Sequence, residues 1–168
     1  FVYPGDTFKV EKNLIFSAEW SEAHQIGLPT SSWGSEIRYP SAEEWFVITP
    51  SNAREKLLIW SRHNVASTAE VDTVAYLYDA QGNLLASDDD SGDGNHFRIL
   101  YTFENAQNQD FYLKIRMYGS GTGLYLLRTS RCYDVTYNAN GGSGAPNAQT
   151  MLHGDSLTLS STIPTRNG

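Results

Sequence analysis

Four aspartates crowd into six positions of the stretch SDDDSGDGNHF, which spans residues 87–97. Closely spaced carboxylates, with glycines that allow a tight curve, are the ligands that a hard cation such as calcium prefers. Without a cation, neighbouring carboxylates repel one another and their pKa values rise on folding. The candidate ligands are Asp88, Asp89, Asp90, Asp93 and Asn95. The stretch predicts a calcium site, and a solvated turn is the alternative that the sequence leaves open.

Four further carboxylates flank neighbouring predicted strands and could complete such a site. Asp72 and Asp79 bracket one strand, and Glu43 and Glu44 open another. The sequence does not select among them.

Aromatic residues form a second group of candidate ligand residues. Exposed rings stack on the flat C–H faces of sugars, while nearby polar side chains bind the sugar hydroxyl groups. Trp20 and Trp33 lie with Arg38 in an irregular N-terminal region, and Tyr112 and Tyr118 share one face of a predicted strand. These five residues predict a carbohydrate-binding surface. Tryptophans that only close an edge of the core are the alternative for the N-terminal pair.

Catalytic patterns are weak in this sequence. The four histidines show no metal-ligand pairing, and no GxSxG, HExxH or phosphate-binding glycine loop occurs. The paired carboxylates of a glycosidase meet only in the folded chain, so the sequence alone does not reveal them. We therefore expect a non-catalytic protein.

Composition narrows the classes of partner. Asp and Glu number 19 against 12 Lys and Arg, which gives a formal net charge of −7. Nucleic-acid binding depends on concentrated Lys and Arg, so we expect no nucleic-acid partner. No apolar run approaches the roughly 18 residues of a membrane span, so we expect no membrane insertion. Cys132 is the single cysteine, and we expect it to be a small buried apolar residue.

Alternation of apolar and polar residues dominates the middle of the chain. The apolar residues of 111–117 fall on one face, and those of 97–103 do the same. Further strands are predicted at about 44–49, 56–61, 71–79 and 123–129, with polar turns between them. Strands at this spacing without a helical period predict an all-β fold, an antiparallel, jelly-roll-like β-sandwich.

Two regions are interpreted with less pattern to guide them. Residues 24–41 read mostly as loop, and Trp45 and Trp60, which lie inside predicted strands, are expected in the core. After Arg131 the composition shifts to Gly, Asn and Pro, with short strands predicted at about 133–138 and 156–160. About 37 residues are too few to bury a core of their own. We therefore divide the chain into a sandwich module, 1–131, and an incomplete extension, 132–168.

The central segments EEWFVIT, VDTVAYLYDAQGNLLASDDDSGDG and FYLKIRMYGSGTGLYLLRT follow one another in a characteristic order. With them, residues 43–129 resemble the bacterial pre-peptidase C-terminal (PPC) domain, a β-sandwich appended to secreted peptidases and other exported enzymes. The resemblance implies a module that stabilises, tethers or binds for a catalytic domain, and some such modules bind calcium.

The tail contains VTYNANGGSGAPNAQT followed by HGDSLTLSSTIPTRNG. In this order the two segments resemble the start of the Listeria–Bacteroides repeat, a small β-grasp-like unit of bacterial surface and secreted proteins. The resemblance covers 132–168 and implies a repeat that is cut short. It also implies a modular parent protein that is secreted or held at the cell surface.

Together these features predict a non-catalytic accessory module of an exported bacterial multidomain protein. Polysaccharide binding with a structural calcium site is the first hypothesis for its function. A spacer or stabilising module of a secreted peptidase or adhesin is the alternative.

Overall fold

The computed structural model describes residues 23–28, 30–37, 42–65 and 71–166, and for 30–37 it describes the backbone alone. Within these ranges the chain forms strands and loops, and no helix is long and apolar enough to cross a membrane. The strands are β1 (His24–Ile26), β2 (Thr30–Ile37), β3 (Glu43–Ile48), β4 (Arg54–His63), β5 (Thr73–Tyr78), β6 (Leu84–Asp88), β7 (Arg98–Glu104), β8 (Phe111–Met117), β9 (Gly123–Val135) and β10 (Gln149–Leu152).

These strands form two sheets. The first sheet has the order β1-β3-β8-β5-β6, and the second has the order β10-β9-β4-β7, with β2 also paired to β9. All of these pairings are antiparallel except that of β1 with β3, which is parallel. The all-β, antiparallel sandwich predicted from the alternation is confirmed.

The core lies between the inner faces of the two sheets. Every second residue of β8, from Phe111 to Met117, is buried, as the alternating pattern predicts. Phe103 of the second sheet meets Phe111 of the first edge to face, with ring centroids 4.6 Å apart. Burying one such side chain contributes roughly 1.5–3 kcal/mol, so the interlocked inner faces account for the stability of the sandwich.

Two predictions of secondary structure are wrong. Residues 24–37 hold β1 and β2, although the sequence reads there as loop. β2 pairs with β9 along its whole length, from Thr30 opposite Ser130 to Ile37 opposite Gly123. The strand conformation of β2 therefore depends more on this pairing than on its own composition. Residues 156–160 form no strand, and the tail instead adds β10 at 149–152.

The tail joins the sandwich without a break in strand β9. β9 runs to Val135 and therefore crosses the boundary predicted between 131 and 132. β10 pairs with its last four residues, and Asp134 accepts hydrogen bonds from Lys56 of β4 at 2.7 Å and from Thr150 of β10 at 2.6 Å. The division into two units stays a prediction.

Candidate functional site

The aspartate loop follows β6 and is organised around Asp88. One Asp88 oxygen accepts the backbone N–H groups of Ser91 at 3.1 Å and Arg98 at 2.8 Å, and the other accepts the Ser91 hydroxyl at 2.6 Å. Both oxygens thus have donors within the protein, and the carboxylate closes the loop as a cap. Asp88 therefore has a structural role that its spacing did not reveal.

Backbone contacts hold the loop against the start of β5. Thr73 donates its N–H to the carbonyl of Asn95 at 3.1 Å, and Gly92 donates to the carbonyl of His96 at 2.7 Å. A Cβ at Gly92 would lie 2.3 Å from that His96 oxygen, so only glycine permits this approach. Asp93 and Asn95 are exposed on the loop.

Asp72, just before β5, is the carboxylate that the fold brings towards the loop. Its Oδ1 atom is buried and has no hydrogen-bond partner among the described residues. Burial raises the pKa of Asp72, and the charges of Asp90 and Asp89 raise it further. Asp72 was one of the four carboxylates among which the sequence did not choose, and it is the one that the fold places near Asp89 and Asp90.

The arrangement stops short of a formed metal cage. Within the described ranges, no group of three or more His, Cys, Asp or Glu side chains is placed to hold a metal ion. The orphaned Asp72 oxygen suits a hard cation, and Asp89 and Asp90 add negative charge beside it. The predicted calcium site at 88–95 stays a prediction, with Asp72 as an added candidate ligand.

An aromatic face covers the outer side of the first sheet. Trp45 lies 5.8 Å from Tyr78, measured between ring centroids. The Lys114 amine lies over the rings of Trp45 at 5.7 Å and Tyr76 at 5.1 Å, and it pairs with Glu43 at 3.1 Å. Trp45 is half-buried on this face, so the expectation that it belongs to the core is wrong.

The predicted carbohydrate residues do not come together as one described group. Tyr112 lies half-buried on the aromatic face, directly opposite Tyr78, and Tyr118 is 59% exposed just beyond the end of β8. Trp20 and Arg38 lie outside the described residues. For Trp33 only the backbone is described, opposite Leu127 of β9. Their role in ligand binding stays a prediction.

Sequence reasoning missed a polar cluster inside the sandwich. The hydroxyls of Ser61 and Thr73 lie 2.6 Å apart, and His96 Nδ1 lies 3.2 Å from Ser61 and 3.3 Å from Thr73. All three residues are buried. A serine and a histidine in contact can act as nucleophile and base, but here no substrate has access to them. The cluster joins β4, β5 and the end of the aspartate loop.

Cys132 is buried on β9, and burial raises the pKa of its thiol, as expected for a small apolar residue. Trp60 of β4 is half-buried on the outer side of the second sheet, which again contradicts the core position expected for it. Strand membership was predicted correctly for both tryptophans, and only the face was wrong.

Comparison with protein-family models and with curated proteins gave no match. Among solved structures, the chain is similar to the crystal structure of the pre-peptidase C-terminal domain of collagenase from Bacillus anthracis, with a TM-score of 0.52 and 17% sequence identity. The similarity covers 68% of this chain and 100% of that domain. At this identity it shows the fold, which is a PPC-like β-sandwich. The Listeria–Bacteroides repeat at 132–168 stays a prediction.

Proposed function

We propose that this chain is a non-catalytic accessory module of an exported multidomain protein, such as a secreted peptidase or an adhesin. The observation that carries the proposal is the similarity in fold to the whole of the pre-peptidase C-terminal domain of a collagenase. The module would stabilise or space the domains beside it and would act outside the cell.

The described residues support a role without chemistry. The one serine–histidine contact among them is sealed in the core with Thr73. The acidic residues near the 88–95 loop sit on a turn that the protein's own N–H and O–H groups organise. General acid–base catalysis needs a group that can reach a bound substrate, and the buried serine–histidine pair does not offer one.

Removing this module from the exported protein that carries it should leave turnover of a small soluble substrate within about twofold, because no reacting group is lost. The half-life of the shortened protein at elevated temperature should fall, because a neighbouring domain loses its packing partner. The two quantities can be measured on the same preparations. A large drop in turnover on the small substrate at low temperature would contradict the proposal.

We propose in addition that calcium binds beside the aspartate loop, with Asp72 as a ligand and with Asp89 and Asp90 adding negative charge beside it. The buried, unpartnered Oδ1 of Asp72 supports this, because such an oxygen is costly to leave without a donor or a cation. The proposed role is structural: the ion would neutralise three carboxylates and fix the loop to β5.

Carbohydrate binding is a second candidate function, and the aromatic face of the first sheet favours it. Trp45 and Tyr112 lie on that face with Lys114 and Arg116, so flat rings and hydrogen-bond donors are adjacent. Trp45→Ala should weaken retention on neutral polysaccharide affinity gels about tenfold, because the stacking surface is lost. Tyr133→Ala removes an exposed ring elsewhere and serves as the control. Equal retention of both variants would count against this face as the binding surface.

A further inference from the structure

The outer face of the second sheet is rich in positive charge, although the chain as a whole is acidic. Of the 12 lysines and arginines in a chain of net charge −7, five lie at outward positions on three adjacent strands. They are Arg54, Lys56, Arg62, Arg98 and Arg128. Two carboxylates in the described part of this face, Glu104 and Asp134, oppose them. The face therefore differs in sign from the rest of the chain.

Near one end of this face, three residues form a row across three neighbouring strands. Trp60 of β4 lies directly opposite Arg98 of β7 on one side and Arg128 of β9 on the other. Neighbouring strands are about 5 Å apart, so the two arginine backbones are separated by about 10 Å with the indole between them. Arg62 projects from the same face, two residues beyond Trp60.

The cations of this row differ from those at the other end of the face, where both are paired with carboxylates. Arg54 pairs with Glu104 at 3.0 Å and Lys56 pairs with Asp134 at 2.7 Å. No carboxylate among the described residues pairs with Arg62, Arg98 or Arg128. The Nε atom of Arg128 is buried and lacks an acceptor within the described structure. A guanidinium donor held in this state is an incomplete site for an anion.

We propose that the row Arg98–Trp60–Arg128, with Arg62, binds a polysaccharide that carries carboxylate or sulfate groups. Guanidinium groups bind such anions through paired N–H donors, and the indole between them offers an apolar ring for the sugar that joins two charged groups. Arg62 and Arg98 are exposed on this face. The proposal concerns the opposite sheet from the aromatic face and does not depend on the accessory role of the module.

The small number of cations on this face argues against a nucleic acid as the ligand. A nucleic acid presents closely spaced phosphates, and its affinity for a protein grows with the number that Lys and Arg neutralise. Here three cations have no carboxylate partner within the described ranges and the net charge of the chain is −7, so further phosphates would meet repulsion. An acidic polysaccharide also contacts the indole through its sugar rings, so its binding depends less on the number of cations alone.

The test is affinity electrophoresis of the whole chain in gels that contain dextran sulfate, polygalacturonate or neutral dextran. We expect retention by the two acidic polymers, no retention by dextran, and loss of retention as salt rises. Arg98→Gln should weaken binding about tenfold, because one charged hydrogen bond is lost. Arg166→Gln changes the net charge equally at an exposed position of the tail and should bind like the unchanged chain.

Two further measurements separate this proposal from simple attraction between charges. Trp60→Leu should weaken binding to polygalacturonate while leaving its dependence on salt unchanged, because the loss is one of stacking. An oligothymidylate and polyglutamate should bind at least tenfold more weakly than the acidic polysaccharides. Equal binding of all these polyanions, equal loss in Arg98→Gln and Arg166→Gln, or full binding by Trp60→Leu would each overturn the proposal.

Discussion

Glu55→Ala is expected to lower the free energy of unfolding by about 3–5 kcal/mol, the usual cost of removing one partner from a buried ion pair. The Glu55 side chain is 1% exposed and accepts a hydrogen bond from Arg131 Nε. Its other oxygen accepts the N–H of Ser51 at 2.9 Å, so one carboxylate closes a turn and joins β4 to β9. The substitution leaves the Arg131 charge half-buried without its partner. Urea unfolding followed by fluorescence gives the change directly.

The matched control is Glu104→Ala, which breaks an ion pair of the same sheet at the surface. Arg54 and Glu104 are 75% and 58% exposed, and such pairs contribute about 0–1 kcal/mol. Replacing both Glu55 and Arg131 with apolar residues should recover much of the lost stability, because no buried charge is then left alone. A Glu55→Ala loss no larger than that of Glu104→Ala would show that the pair contributes little.

The strands that form the centre of each sheet were predictable because their own residues alternate. β8 buries Phe111, Leu113, Ile115 and Met117, which is the stripe read from the sequence. β1 and β2 were not predictable by this means. β2 is rich in serine and has a weak alternating pattern, and its strand conformation depends on hydrogen bonds to β9, about a hundred residues away.

For the two strand tryptophans, hydrophobicity alone predicts the wrong face of the sheet. Trp45 and Trp60 stand next to the buried residues Phe46 and Ile59 and therefore point to the opposite face. Their position follows from the period of two, which takes precedence over the preference of an indole for the interior. Reading that period would have placed both rings on the outer faces.

The candidate sites depend on pairings between distant segments, which no local pattern contains. Asp72 lies 17 positions before Asp89 in the sequence, and β5 and β6 bring them near one another. The row of Trp60, Arg98 and Arg128 needs the register of three strands. The sequence indicated that carboxylates and aromatic rings were present, but the register of the sheets determines which of them lie next to one another.

Calcium at a hundredfold excess over its Kd should stabilise the folded chain by about 2.7 kcal/mol, because an ion that binds only the folded state shifts the unfolding equilibrium. For a chain of this size the Tm would rise by roughly 5–10 °C. Asp72→Asn should remove most of the rise, because it takes the negative charge from the side chain whose Oδ1 has no other partner among the described residues. Asp93→Asn, in the same loop, should keep it. The measurement is a thermal melt of each variant in calcium and in chelator.

The dependence on pH should have opposite signs in the two buffers. In chelator, the pKa of Asp72 in the folded chain is raised above its ordinary value of 3.8 by burial and by Asp90 and Asp89. Its contribution to stability is therefore full below that value and is lost as the pH rises through the raised pKa. In calcium, the carboxylate must lose its proton to bind, so stability relative to Asp72→Asn should increase with pH over the same range. Identical curves of stability against pH in the two buffers would contradict the calcium proposal. The loop aspartates would then serve only the turn, which Asp88 caps.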